Sequence, residues 1–251
     1  MRFGKCLVSG AACALLVIGS AANAAVVVTN IQDVAPAGGN PGDPYTPSAF
    51  TASSSDLLSG LTPLSVTGNT TQEGAVGVSK WTNGSIATLY AKQPNTGQNL
   101  IDNHVPYGTL TANPTLQPPT TAQVVYDLGG LYNLSSADVF AGWNDSGRDL
   151  FSFTLEASPD NVNYSQIGSF NKNGDNTGAI TTPVTTKIDF VDDGGSSIAS
   201  GVRYVRLTAT DTDNGYAGMV EFDVNGTPAP EPGSLAVLGL GAVMMMRRRR
   251  R

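Results

Sequence analysis

The sequence predicts an all-β protein built as a β-sandwich or jelly roll, and three observations lead to that prediction. Turn dipeptides such as Asn83-Gly84, Asn173-Gly174 and Asn225-Gly226 recur along the chain. Short segments in which apolar and polar residues alternate lie between these turns. Signals for helix starts and ends are nearly absent from the central 200 or so residues. Many short strands separated by turns are typical of sandwiches and barrels.

Two segments show the alternation clearly. Residues 149–158 read DLFSFTLEAS, which places phenylalanine and leucine on one face and serine, threonine and glutamate on the other. Residues 218–224 read GMVEFDV, so Val220, Phe222 and Val224 are predicted to face a core, and Glu221 and Asp223 to face solvent. Successive side chains of a strand point to opposite faces of the sheet, and such alternation therefore predicts half-buried strands.

The first 24 residues have the layout of a secretory signal peptide. Arg2 and Lys5 form a short basic region, an apolar stretch follows, and Ala22-Asn23-Ala24 gives a small-x-small cleavage pattern after Ala24. Both cysteines of the chain lie in this segment. The mature protein is therefore expected to contain no disulfide, no zinc–thiolate site and no cysteine nucleophile.

The mature chain is predicted to hold one domain. Residues 25–53 are expected to form a loop-rich lead-in, because 35–48 is rich in proline and glycine, and 54–227 to form the sandwich. Residues 25–229 carry seven basic and nineteen acidic side chains, a formal net charge of −12. This charge argues against a nucleic-acid partner and is compatible with divalent cations or neutral glycans.

Residues 228–251 form a distinct C-terminal tail. Pro230-Glu231-Pro232 precedes twelve apolar or glycine residues, Leu235–Met246. A cluster of five arginines ends the chain: Arg247, Arg248, Arg249, Arg250 and Arg251. A helix rising about 1.5 Å per residue over this run is shorter than the ~30 Å hydrocarbon core of a bilayer. The positive-inside rule then predicts a short transmembrane helix with the arginines in the cytoplasm and the body outside.

The tail resembles the PEP-CTERM sorting signal of Gram-negative bacteria. The Pro-Glu-Pro motif, the short apolar helix and the terminal arginines follow one another in the order of that signal. The resemblance implies recognition by a membrane-embedded exosortase and cleavage near Pro230, Glu231 and Pro232. An ordinary tail anchor is the alternative, although it does not account for the Pro-Glu-Pro motif. Transient anchoring in the inner membrane, followed by a cell-surface or extracellular location, is the expected outcome.

The body resembles the discoidin domain, also called the coagulation factor V/VIII type C domain, and related galactose-binding-like modules. The resemblance is carried by the order of four segments, which are WTNGS at 81–85, VVYDLGGLYNLSSADVF at 124–140, FTLEASPDNVNYSQIGSF at 153–170 and GVRYVRLTATDTDNGYAGMVEFDVNG at 201–226. It implies a galactose-binding-like jelly roll. Some relatives bind calcium between an early loop and a glutamate of the last strand. The resemblance implies that an ion could bind at the matching position of this chain.

The residues of this chain that match that calcium site are Asn83 and Glu221. The family has aspartate where this chain has Asn83, so the loop keeps an oxygen ligand and loses a charge. Arg203 and Arg206 are expected on alternate faces of their strand, with one of them reaching Asp127 or Glu221. Ligand-facing loops make Trp143 and Tyr107 the candidate glycan-binding residues.

No catalytic constellation emerges from the sequence. The single histidine, His104, lies in a loop-like segment rich in proline and asparagine, and no nucleophile-elbow pattern occurs. The prediction is a non-catalytic surface or matrix protein that is sorted by its tail and associates with exopolysaccharide. The alternative is a carbohydrate-binding module with a structural calcium ion, and a secreted hydrolase is a distant third.

Overall fold

A computed structural model describes residues 26–36, 45–68, 70, 78–87, 89–92, 99–102, 105–107, 122–143, 150–172, 183–212 and 217–230. The predicted signal peptide with Ala22 and Ala24, and the tail from Glu231 to Arg251, lie outside these residues, as does His104. Tyr107 and Trp143 are described in their backbone only. No helix in the described part of the chain is long and apolar enough to cross a membrane.

The described elements are strands and one 3-10 helix. The strands are β1 (Val26–Val34), β2 (Ser65–Thr67), β3 (Leu89–Lys92), β4 (Asn99–Asp102), β5 (Val105–Tyr107), β6 (Ala122–Trp143), β7 (Phe151–Ser158), β8 (Ser165–Phe170), β9 (Val184–Asp192), β10 (Ala199–Thr212) and β11 (Ala217–Pro228). The 3-10 helix spans Val78–Thr82. The described residues contain no α-helix, in agreement with the all-β prediction.

Nine of these strands form one antiparallel sheet that folds over into two layers. Its main path runs β1-β9-β6-β10-β7-β8, with β2 and β11 also beside β6 and β5 beside β11, while β3 and β4 form a separate pair. The first half of β6 pairs with β10, and its second half pairs with β9 and β11. Strand β6 therefore passes from one layer to the other, and Gly129 in its middle adopts the left-handed φ of 75° that favours glycine.

The layers β2-β6-β10-β7-β8 and β5-β11-β6-β9-β1 enclose one main hydrophobic core. Both layers contribute fully buried side chains, including Leu155 of β7, Leu207 of β10, Ile188 of β9 and Phe222 of β11. Burying each such side chain stabilises the fold by about 1.5–3 kcal/mol. The alternation read in residues 149–158 is confirmed for Phe151, Phe153 and Leu155, which are all fully buried.

The predicted lead-in differs from the structure. Residues 26–34 form β1, which pairs with β9 over its whole length from Val26 opposite Asp192 to Val34 opposite Val184. Residues 45–56 then lie against the outer side of the β11-β6-β9 layer, where Phe50 packs on Phe140 with ring centroids 5.9 Å apart. The proline and glycine content of residues 35–48 predicts a loop, whereas the VVVTNIQDV segment before them has the composition of a strand.

Candidate functional site

The predicted solvent exposure of Glu221 and Asp223 is wrong. These side chains of β11 are 0% and 1% exposed. Two loops cover them: the main-chain N–H of Ser53 donates to Asp223 Oδ2 at 2.6 Å, and that of Asn83 donates to Glu221 Oε2 at 3.2 Å. Alternation within one strand cannot reveal this cover, because the covering residues lie about 140 to 170 positions earlier in the chain.

The Asn83-Gly84 turn is packed against the other covering loop. Gly84 has a φ of 76°, and a Cβ built on it would lie 3.2 Å from the Cα of Ser54. Asn83 Oδ1 accepts a hydrogen bond from the N–H of Ser85 at 3.0 Å, and the asparagine side chain is exposed. The structure thus brings Asn83 and Glu221 together through the main chain of the turn. Their shared role as metal ligands stays a prediction.

Four buried oxygen atoms on β6, on β11 and in the loop that contains Asp56 have no hydrogen-bond partner. They are Glu221 Oε1, Asp223 Oδ1, Asp56 Oδ2 and the hydroxyl of Tyr126. Burial raises the pKa of Glu221 to about 8, and the negative charges of Asp223 and Asp56 add to that rise, while main-chain hydrogen bonds from Gly84 and Asn83 oppose it. Burial also raises the pKa of Asp223 to about 7. Unpartnered buried oxygens are costly, so this cluster has the electrostatics of a site that accepts a cation.

Oxygen donors of this kind fit calcium, which prefers carboxylate and carbonyl oxygens. The described residues contain no group of three or more histidine, cysteine, aspartate or glutamate side chains arranged to hold a metal ion. A cation here would therefore depend on fewer carboxylates, completed by main-chain carbonyls of the two loops and by water. Sequence reasoning identified Glu221 and missed Asp56, because nothing near Asp56 in the sequence signals a partner on the last strand.

The two arginines of β10 are engaged elsewhere. Arg203 pairs with Asp127 through contacts of 2.8 and 2.9 Å, as the sequence suggested. Arg206 pairs with Glu156 at 2.7 and 2.8 Å. The expectation that one of them reaches Asp127 or Glu221 is therefore met at Asp127. A bulge between Val202 and Tyr204 interrupts the alternation, so both arginines pair with carboxylates opposite to the core face.

The candidate ligand-binding residues Tyr107 and Trp143 lie at one end of the sandwich. Tyr107 at the end of β5 is paired with Ala217, the first residue of β11. Trp143 ends β6, two residues beyond Ala141, which is paired with Met219. Their backbones therefore flank the start of β11 from its two sides, and the structure brings these two positions together at a loop end.

A cavity of about 260 Å³ lies at the opposite end of the sandwich. It is lined by the end of β7, the start of β8 and residues 198–202. Its lining holds serine, glutamine, alanine, isoleucine and valine side chains and no charged one. Sequence reasoning did not predict this cavity, since the bulge that opens β10 at this point has no signature beyond Gly201, whose φ is 66°.

Comparisons with known proteins return structural likeness only. No model of a known protein family matches the chain, and no curated protein matches it. Among solved structures, the module CBM32-3 from a family 31 glycoside hydrolase of Clostridium perfringens is 15% identical with a TM-score of 0.41, covering 71% of this chain and 96% of that one. The C-terminal domain of a chitobiase from Bacteroides fragilis is 17% identical with a TM-score of 0.39, covering 67% and 95%.

A chitosan-binding module from a Paenibacillus chitosanase/glucanase is 16% identical with a TM-score of 0.37, covering 68% of this chain and 99% of that chain. All three TM-scores are below 0.5 and all three identities are below 20%. Values in this range define neither a family nor a ligand for this chain.

Proposed function

We propose that the protein is an exported, non-catalytic surface or matrix protein whose β-sandwich binds carbohydrate and holds calcium as a structural ion. The observation that carries the glycan-binding part is the placement of Tyr107 and Trp143 on the strands that flank the start of β11. Binding residues commonly sit where loops leave a rigid scaffold, and jelly-roll sandwiches include lectin domains.

The composition of the body supports a glycan rather than a nucleic-acid ligand. Residues 25–229 carry a formal net charge of −12, which repels phosphate backbones and leaves neutral polyhydroxylated ligands unaffected. Aromatic side chains present a flat apolar face with little conformational entropy to lose, which suits the stacking of sugar rings. Exopolysaccharide is the partner class that matches an exported protein of this kind.

The sorting part of the proposal depends on access to the Pro-Glu-Pro motif. Strand β11 ends at Pro228, and the residues from Thr227 to Pro230 are exposed or half-buried. A proline fixes φ and disfavours helix at the residue before it, so Pro230 and Pro232 keep the motif extended. The exposed or half-buried residues 227–230 that lead into the motif support its access to a membrane processing enzyme of the exosortase type.

Glycan binding is tested with the full chain, purified in detergent, on an array of neutral and anionic oligosaccharides. We expect binding to a restricted set of glycans, and Trp143→Ala or Tyr107→Ala to weaken it about tenfold or more, since truncating such an anchor costs about 2 kcal/mol. Tyr164→Ala, in the turn at the opposite end, is the matched control and should bind as wild type. No binding by the wild type, or equal binding by all variants, would refute the assignment.

A further inference from the structure

We propose that Asp56 is the second carboxylate of the cation site at Glu221 and supplies the negative charge that Asn83 lacks. The inference rests on the proposed structural calcium ion, and it names a ligand that neither the strand alternation nor the discoidin resemblance provides. Asp56 lies in the loop that runs along the edge of β11, on the same side as the Asn83-Gly84 turn.

The carboxyl group of Asp56 is fixed against β11 by one of its oxygens. Its Oδ1 accepts hydrogen bonds from the N–H of Leu58 at 2.7 Å and from the N–H of Val224 at 3.2 Å. The neighbouring N–H of Leu57 donates to the carbonyl of Val224 at 2.8 Å, which ties the loop to the strand edge. The second oxygen, Oδ2, is buried without a partner. One oxygen positions the group, and the other is left for a ligand.

A fully buried tyrosine hydroxyl provides an independent observation at the same point. Tyr126 is 0% exposed, and its hydroxyl has no hydrogen-bond partner. Burial is the main cause that raises the pKa of this hydroxyl, and the charges of Glu221 and Asp56 raise it further. The hydroxyl is therefore electrostatically coupled to both carboxyl groups. The three unpartnered oxygens come from a loop and from the neighbouring strands β6 and β11.

The side chain of Asn83 does not fill this location. Its amide oxygen accepts from the N–H of Ser85, and the side chain is exposed. The turn contributes an N–H donor to Glu221 Oε2 instead. The charge that the discoidin pattern places on this loop is therefore missing from it, and Asp56 is the carboxylate that lies beside Glu221 with an oxygen to spare. Asp223 also has an unpartnered oxygen, Oδ1, but the charge of Lys187 partly compensates this carboxyl group.

Electrostatics explains why a divalent cation stabilises this arrangement. Two buried carboxylates repel each other, and each unpartnered oxygen has lost its hydration without gaining a donor. A cation between Asp56 and Glu221 removes the repulsion and partners both free oxygens at once. The donors are all oxygen atoms, which selects a hard cation such as calcium over zinc or copper. Main-chain carbonyls of the two loops and water would complete the six to eight ligands that calcium takes.

The test compares the thermal unfolding of the full chain in detergent, with and without calcium, in wild type, Asp56→Asn, Glu221→Gln and Asp193→Asn. Asparagine keeps the Oδ1 that accepts from Leu58 and Val224, so the loop should stay in place. We expect calcium to raise the Tm of wild type and of Asp193→Asn, an exposed control in the turn after β9. In both other variants we expect the rise to be lost and the calcium affinity to fall at least tenfold.

The outcomes separate the two hypotheses. If Glu221→Gln loses the response and Asp56→Asn keeps it, the calcium site stands and the assignment of Asp56 is overturned. If wild type shows no response, both are overturned, whatever the glycan array shows. Tyrosine-sensitised terbium luminescence gives a second reading should Asp56→Asn fail to fold. Tyr126→Phe must lower the emission from a terbium ion bound beside that ring, and unchanged emission would place the ion elsewhere and overturn the proposal.

Discussion

At the scale of single residues, three aspartates stand side by side on the outer face of the β11-β6-β9 layer. Asp223 is the register partner of Asp138, and Asp138 is the partner of Asp189. Lys187 forms ion pairs with Asp138, at 3.3 Å, and with Asp189. Lys187 thus pairs with two members of a row of three carboxyl groups. Adjacent like charges in a half-buried row oppose folding whenever all of them are ionised.

This row predicts a pH dependence of stability. Burial raises the pKa of Asp138 to about 7, and its hydrogen bond with Asp189 adds to the rise against the charge of Lys187. Between pH ~4 and ~7 the folded state holds a proton that the unfolded state has released. Stability therefore falls as pH rises through this window, and the loss is complete above it. Asp138→Asn should make that fall shallower, as measured by urea denaturation at several pH values.

The fall should not vanish in this variant, because the pKa of Asp223, raised to about 7 by burial, acts in the same range and in the same direction. Asp193→Asn is the control and should keep the wild-type slope. An unchanged slope in Asp138→Asn would mean that this carboxyl group is ionised in the folded protein at neutral pH.

At the scale of elements, sequence patterns predict which face of a strand meets the core, and they are less informative about what covers the other face. The prediction of the core face of β7 is correct, because Phe151, Phe153 and Leu155 alternate with polar residues. The prediction that Phe222 and Val224 of β11 face the core is also correct. The acidic side chains on the other face of this strand are buried as well. The cover comes from loops far away in the chain, and their position is decided by tertiary packing rather than by local composition.

The passage of β6 between layers was equally hidden. No local pattern predicts it, because the change of partner near Gly129 depends on β9, β10 and β11 being in place. The candidate site follows the same division. Glu221 was found through the resemblance of the last strand, whereas Asp56 and Tyr126 are defined by oxygens left without partners, which only coordinates reveal.

The folding-over of the sheet predicts a sensitive glycine in β8. A Cβ built on Gly168 would lie 2.9 Å from the ring of Phe190 in β9 and 3.4 Å from Val28 in β1. Gly168→Ala should therefore force the two layers apart locally and destabilise the protein by about 1–3 kcal/mol, the usual cost of overpacking a core. Urea denaturation measures the change.

Gly130→Ala is the matched control for this prediction. A Cβ there would lie nearest to the side chain of Tyr132, at 3.5 Å, which is an ordinary contact distance. Its effect should stay within the roughly ±0.5 kcal/mol of a surface substitution. Equal stability of Gly168→Ala and wild type would mean that β8 does not pack against β9 and β1 as closely as the structure has it.

At the scale of the whole molecule, the body and the C-terminal tail differ in charge and in hydrophobicity. The body carries its net charge of −12 and a packed core, whereas the last residues combine an apolar run with five arginines. An apolar run of twelve residues is too short to span a bilayer comfortably. The positive-inside rule predicts that the five arginines stay in the cytoplasm and stop complete translocation. Such a tail suits a temporary stop in the membrane better than a permanent anchor.

Processing at the Pro-Glu-Pro motif follows as the last prediction. In the native host, wild type should lose its tail and appear in the surface or extracellular fraction. Its mass should correspond to a chain whose last residue lies near Glu231. The triple variant Pro230→Ala/Glu231→Ala/Pro232→Ala removes the extended conformation and the acidic side chain without touching the apolar run. It should stay uncut in the membrane fraction, with its arginines protected from external protease. Intact tails in both proteins would show that the segment is a plain anchor, and the domain would then act while tethered to the membrane.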